Sequence, residues 1–116
     1  MSMKFNEYQE ICKSTKIYPH EYYILYPVLG LCGEAGEVAE KIKKIIRDKP
    51  GGFASLTEAE NNAIILELGD VLYYVAAIAS DLGFSLHNVA HANIAKLQRR
   101  KNEGTIKGSG DNRWKK

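Results

Sequence analysis

Cysteine is scarce: only Cys12 and Cys32 occur, both in segments that read as helix. Small secreted domains rely on regularly spaced cysteines, so reduced thiols and a cytoplasmic location are expected here. No stretch approaches the roughly 20 consecutive apolar residues of a membrane span. The opening segment MSMKFNEYQEICKSTK is charged throughout and lacks an apolar h-region, so no secretory signal is expected either. Net charge is small, because 16 Lys and Arg against 14 Asp and Glu leave +2. Bulk electrostatics therefore give no reason to expect a nucleic-acid partner. Runs of alternating β-branched residues between turn signals are missing, which removes the β classes. What remains is a soluble all-α protein whose 116 residues, 45% of them apolar, suffice for one domain and one core.

Four helices are predicted. The first covers about residues 4 to 16, with Phe5, Tyr8, Ile11 and Cys12 as a short apolar stripe, and Pro19 interrupts it. Residues 20 to 26 form at most a separate helical turn. The second starts near Pro27, which fits a first helical turn without losing a hydrogen bond, and runs to about Asp48 before Lys49-Pro50-Gly51-Gly52. Thr57-Glu58-Ala59-Glu60 has the form of a capping box and opens the third, which Gly83 closes. Ser85 caps a fourth from Leu86 to about Glu103. The domain thus spans residues 1–104. Beyond it, residues 105–116 form a glycine-bearing basic tail, read as flexible.

Residues three or four apart on a helix share a face, so spacing converts to geometry. On helix three, Ile64, Leu68, Val71, Val75, Ile78 and Leu82 form the stripe expected to be buried, with Glu67, Asp70 and Tyr74 along its edge. On helix two the stripe is Leu31, Ala35, Val38, Ile42 and Ile45, bordered by Glu34, Glu37 and Lys41. Packing stripe on stripe would bring Glu34, Glu37, Glu67 and Asp70 together. Like charges at this spacing cost roughly 0.2–0.5 kcal/mol per pair even when exposed, and desolvation raises the cost. A divalent cation removes the conflict. An all-carboxylate oxygen set suits Mg²⁺, with Mn²⁺ as the alternative, whereas di-iron bundles use Glu-x-x-His. Gly30, Gly33 and Gly36 thin the surface of helix two, at roughly 1 kcal/mol each relative to alanine, so a packing or binding reason is expected. Glu40 points away and reads as surface, as do His87 and His91.

The segments GLCGEAGEVAEKIKK (30–44) and ELGDVLYYVAAIA (67–79) resemble the two halves of the signature of MazG-like nucleoside triphosphate pyrophosphohydrolases, E-x-x-E followed by E-x-x-D. The likeness extends to HANIAKLQRRKNEG at 91–104. It implies a four-helix bundle completed by homo-oligomerisation, as a dimer or tetramer, with Mg²⁺ on Glu34, Glu37, Glu67 and Asp70. It also implies hydrolysis of a nucleoside triphosphate between its α and β phosphates, giving monophosphate and pyrophosphate.

Complementary charge lies on helix four, where Asn93, Lys96 and Arg100 share a face suited to phosphates, with Arg99 as the more exposed alternative. Lys107 and Arg113, among tail glycines, are candidates to fold over a bound triphosphate, and Lys41 completes the basic set. Tyr74 is placed beside the nucleotide by the resemblance, and His20, Tyr22, Tyr23 and Tyr26 are candidates for the base pocket. The competing reading is a non-catalytic helical interaction module with an acidic face. A nucleic-acid binder is weaker still, since Trp114 is the one aromatic of the basic tail.

Overall fold

The computed structural model describes residues 2–51 and 55–113, so Gly52 and Trp114 lie outside the described residues. In chain order it contains α1 (Phe5–Lys13), a 3₁₀ turn (His20–Tyr22), α2 (Leu25–Asp48), α3 (Glu58–Asp81) and α4 (Leu86–Glu103), with no strand among the described residues.

Local chemistry sets the boundaries. Thr57 accepts the Glu60 N–H at 3.1 Å while the Glu60 carboxylate accepts the Thr57 N–H at 2.8 Å, the reciprocal capping box expected for α3. Lys49 reaches the same carboxylate at 2.7 Å and so fastens the end of α2 to the start of α3. Ser85 accepts the Asn88 N–H at 3.1 Å to open α4, and Gly104, in the left-handed region at φ 71°, closes it.

Two boundaries differ from expectation. Helix α1 stops at Lys13 because the Ser14 and Thr15 hydroxyls donate to the carbonyls of Ile11 and Cys12, at 2.6 and 2.9 Å, diverting the chain from the helix. Helix α2 begins at Leu25, two residues before Pro27, because a γ-turn starts it. Ile24 sits at φ 69°, ψ −54°, and the Leu25 N–H donates to the Tyr23 carbonyl at 2.8 Å. Such a turn is strained for a β-branched residue, and side chains brace it. The Asp81 carboxylate, at the end of α3, accepts from the Ile24 N–H at 2.9 Å, the Tyr18 hydroxyl at 2.9 Å and the Lys16 ammonium at 2.7 Å. Lys16 also lies 3.3 Å from the centroid of the Tyr23 ring, and Tyr18 stacks on Tyr26 at 4.6 Å.

Helices α2 and α3 form an antiparallel hairpin, while α1 packs across α3 and α4. The small core joins Cys12, Ala76 and Leu86, with Tyr8, Tyr73 and Val75 against it. Gln9 clasps this junction with a buried amide. Its Nε2 donates to Ser80 Oγ at 2.9 Å and to the Phe84 carbonyl at 3.0 Å, while its Oε1 accepts the Leu86 N–H at 2.7 Å. The tail does not run away from the bundle: residues 104–113 turn back onto α4, held by Arg99, Arg100 and Arg113.

The expected apolar stripe of α3 is covered only in part. Ala76 and Ala79 are buried and Ile64, Val71, Val75 and Ile78 half-buried, but Leu68 and Leu82 stay exposed. The chain has a radius of gyration of 17.5 Å, against about 13 Å for a compact domain of this length. Its accessible surface is 8624 Å², against roughly 6300 Å² for a compact 13 kDa monomer. Helix α3 also has the length and mean hydropathy, 1.6 over 18 residues, of a membrane-crossing helix, but Glu67 and Asp70 at its middle would be costly in lipid.

A candidate metal centre on α2 and α3

The antiparallel hairpin sets Gly30 against Tyr74, Glu34 near Asp70 and Glu67, and Lys41 beside Glu67. Carboxylate oxygens of Glu34, Glu67 and Asp70 all lie within 4.8 Å of one another. Glu34 and Glu67 are half-buried and Asp70 is exposed, so the trio opens to solvent on one side.

The electrostatics are unfavourable without a counter-ion. Desolvation first, then the charges of Asp70, Glu67 and Glu37 and a hydrogen bond with Glu67, push the Glu34 carboxyl above the usual carboxylate range. Lys41 offsets part of this charge, its Nζ standing 3.6 Å from Glu67 Oε1. The donor set is all oxygen, which fits a hard divalent cation and not a thiolate- or imidazole-seeking one.

Glu37 stands apart. It is exposed, and although its charge reaches Glu34 its carboxylate is not one of the convergent three. The spacing of Glu34 and Glu37 equals that of Glu67 and Asp70, yet of the α2 pair only Glu34 joins the convergent group.

Tyr74 fills the space above Gly30: a Cβ built there would run into the Tyr74 ring, so the glycine permits this approach. The Tyr74 hydroxyl is pushed up by burial and by neighbouring Tyr26, Glu34, Tyr73 and Asp70. Along α2, Gly33 and Gly36 face open space, with no atom within 4 Å of an added Cβ.

The basic candidates of α4 and the tail meet each other instead. Asn93 and Lys96 line an open cleft on α4 with Val89 and Ala92. Lys96 Nζ and Arg100 Nη2 lie 3.0 and 3.1 Å from Asp111 Oδ1, and neither pairs with the four acids among the described residues. Arg113 folds back to donate to the carbonyls of Ile106 and Gly110, each at 2.9 Å, and of Gly108, and Lys107 is exposed in the same turn. Sequence reasoning missed Asp81 and Asp111. Each carried a signal: Asp81 is an acid in the last turn of a helix, where the macrodipole disfavours it, and Asp111 is a lone acid between Lys107 and Arg113.

The chain matches the MazG nucleotide pyrophosphohydrolase domain over residues 25–105. It is 44% identical over 117 residues to the Gene 37 protein of Mycobacterium phage L5, covering 96% of this chain and all of that protein. It is 36% identical over 82 residues to the uncharacterized protein YvdC of Bacillus subtilis (strain 168), covering 69% of this chain and 77% of that one. No solved structure matches it. The matched region contains α2, α3, α4 and the convergent carboxylates, and the chain therefore belongs to the MazG nucleotide pyrophosphohydrolase family.

Proposed function

We propose that the protein is a Mg²⁺-dependent hydrolase that takes a nucleoside triphosphate and water to the monophosphate and pyrophosphate. The observation that carries this reading is the convergence of Glu34, Glu67 and Asp70 within a chain of this family. Glu34, Glu67 and Asp70 would hold the ion, and Glu37, whose charge reaches Glu34, would add to the negative field that attracts it. When bound, the ion supplies Lewis-acid stabilisation of charge on the triphosphate oxygens. The chain's own groups then orient and deprotonate. A carboxylate at this site accepts the proton of the attacking water. Tyr74 offers a face to base or sugar, and Lys41, Asn93, Lys96 and Arg100 supply donors for phosphate oxygens.

The apolar surface left on α2 and α3 supports a homo-oligomer. Leu29 is 64% exposed on α2, and Ile65 and Leu66 are 61% and 73% exposed on α3. The excess surface of roughly 2300 Å² over a compact monomer is what a second copy of the same chain would cover. A second copy suits this face better than lipid, given the mid-helix acids of α3.

The test is a panel of canonical and modified nucleoside triphosphates with Mg²⁺, scored for monophosphate plus pyrophosphate. Orthophosphate as the product, or no turnover of any triphosphate, would reject the reading.

A further inference from the structure

We propose that Asp111 is an internal stand-in for a phosphate on the basic face of α4, and that residues 104–113 form a strap which a phosphate-bearing ligand displaces. The proposal rests on the assignment of Lys96 and Arg100 to phosphate binding above, and adds what occupies them beforehand.

Three observations converge on it. First, one carboxylate oxygen of Asp111 serves both cations, at 3.0 Å from Lys96 Nζ and 3.1 Å from Arg100 Nη2, which is how a phosphate oxygen bridges a lysine and an arginine. Second, the partners are unequally embedded. The Arg100 side chain is 10% exposed and built into the helix surface, whereas that of Asp111 is 79% exposed, so the anion is the exchangeable member. Third, the junction is left incomplete. Arg100 Nε and Thr105 Oγ1 are buried without a hydrogen-bond partner among the described residues, and the Thr105 N–H donates to the Arg100 carbonyl at 2.8 Å, so both lie where the strap leaves the helix. Buried polar atoms without partners are uncommon and call for an acceptor or donor not yet in place. A phosphate group, with more oxygens than a carboxylate, has acceptors for them.

The strap is also made to be released as a unit. Arg113 folds inward onto the carbonyls of Thr105, Ile106, Gly108 and Gly110, making a self-contained loop. Among the described residues, carbonyls of the strap also hold it to α4: Arg99 donates to those of Asp111 and Arg113, and Arg100 to that of Gly110. Displacing the Asp111 carboxylate therefore removes its ion pairs with Lys96 and Arg100 while the loop keeps its internal bonds.

The experiment uses the full chain in EDTA, so that no hydrolysis intervenes, with inorganic pyrophosphate as probe and ATP in a parallel arm. Backbone amide hydrogen exchange across residues 104–113 reports on the strap. Saturating pyrophosphate is expected to speed exchange at residues 104–113 of the wild type to the level of unliganded Asp111→Asn. Calorimetry should show Asp111→Asn binding pyrophosphate about fivefold more tightly, and Arg100→Met losing measurable binding. Tighter ATP than pyrophosphate binding would identify the nucleotide as the displacing ligand, and the reverse would identify the free product. Equal or weaker pyrophosphate binding by Asp111→Asn, or unchanged exchange at residues 104–113 at saturation, would overturn the strap. Hydrolysis with no such effects removes the strap and leaves the enzyme, whereas strap release without turnover of any triphosphate keeps the strap and removes the enzyme.

Discussion

The Asp81 carboxylate accepts the backbone N–H of Ile24 at 2.9 Å and thereby fastens the end of α3 to the beginning of α2, the two helices that carry the acidic trio. Its side chain is fully buried and also holds Lys16. Removing one partner of a buried ion pair costs several kcal/mol, because the other is left uncompensated. Asp81→Ala is expected to lower stability by about 3 kcal/mol in denaturant titration. A change under 0.5 kcal/mol, the scale of an ordinary surface substitution, would show that the strained turn stands without it.

The same carboxyl sets an acid limit. Burial alone would raise its pKa, but the Ile24 N–H, the Lys16 ammonium and the Tyr18 hydroxyl outweigh burial and hold it below the ordinary value. A carboxyl with a depressed folded pKa contributes stability that is complete above its unfolded pKa of about 4 and is lost as pH falls through the folded value. Below about pH 4 the wild type should therefore lose Tm more steeply than Asp81→Asn, which keeps an acceptor for Ile24 and does not titrate. Parallel acid slopes for the two proteins would contradict this.

For the metal centre, Glu67→Gln and Asp70→Asn should each reduce turnover by more than about 100-fold, the scale of losing a group that acts on the transition state. Without divalent ions both variants should match or exceed the wild type in Tm, because each relieves repulsion around Glu34. Added Mg²⁺ should raise the wild-type Tm and leave the variants flat. The Mg²⁺-induced rise should also shrink between pH 8 and pH 5, since protons compete for a carboxyl that is pushed up. A Tm response to Mg²⁺ retained in both variants would exclude these residues as its ligands.

Gly30→Ala tests the seat of Tyr74. The added methyl meets the ring, and overpacking of this kind costs roughly 1–3 kcal/mol. In a Tyr74→Ala background the same change should cost little, giving a coupling of about 1 kcal/mol or more in a double-mutant cycle. Additive effects would mean that the ring does not rest on Gly30.

The exposed apolar faces predict assembly. Sedimentation equilibrium should give a mass above 13.0 kDa, and Ile65→Glu should shift it toward the monomer. A wild-type monomer at micromolar concentration would rule out the homo-oligomer.

Much of this was legible in the residues themselves. The capping box at Thr57, the cap at Ser85 and the glycine at 104 are local devices, and local devices read directly from a string. Glu34, Glu67 and Asp70 were legible too, because helical spacing places them beside the apolar stripes. Spacing did not separate Glu37 from them, since which end of an arc meets the neighbouring helix depends on how the helices cross. The γ-turn at Ile24 and the Asp111 bridge were hidden for a related reason. Both are settled by partners far along the chain, 57 residues away for Ile24 and Asp81 and 15 for Lys96 and Asp111.

Gly33 and Gly36, the bare rungs of α2, leave its backbone within reach of whatever is laid alongside. A methyl added at either rung meets no atom within 4 Å among the described residues, so an alanine there probes what is laid against α2 from outside. An alanine tolerated in the fold but not in function would show that a visitor sits within a methyl's width of that backbone.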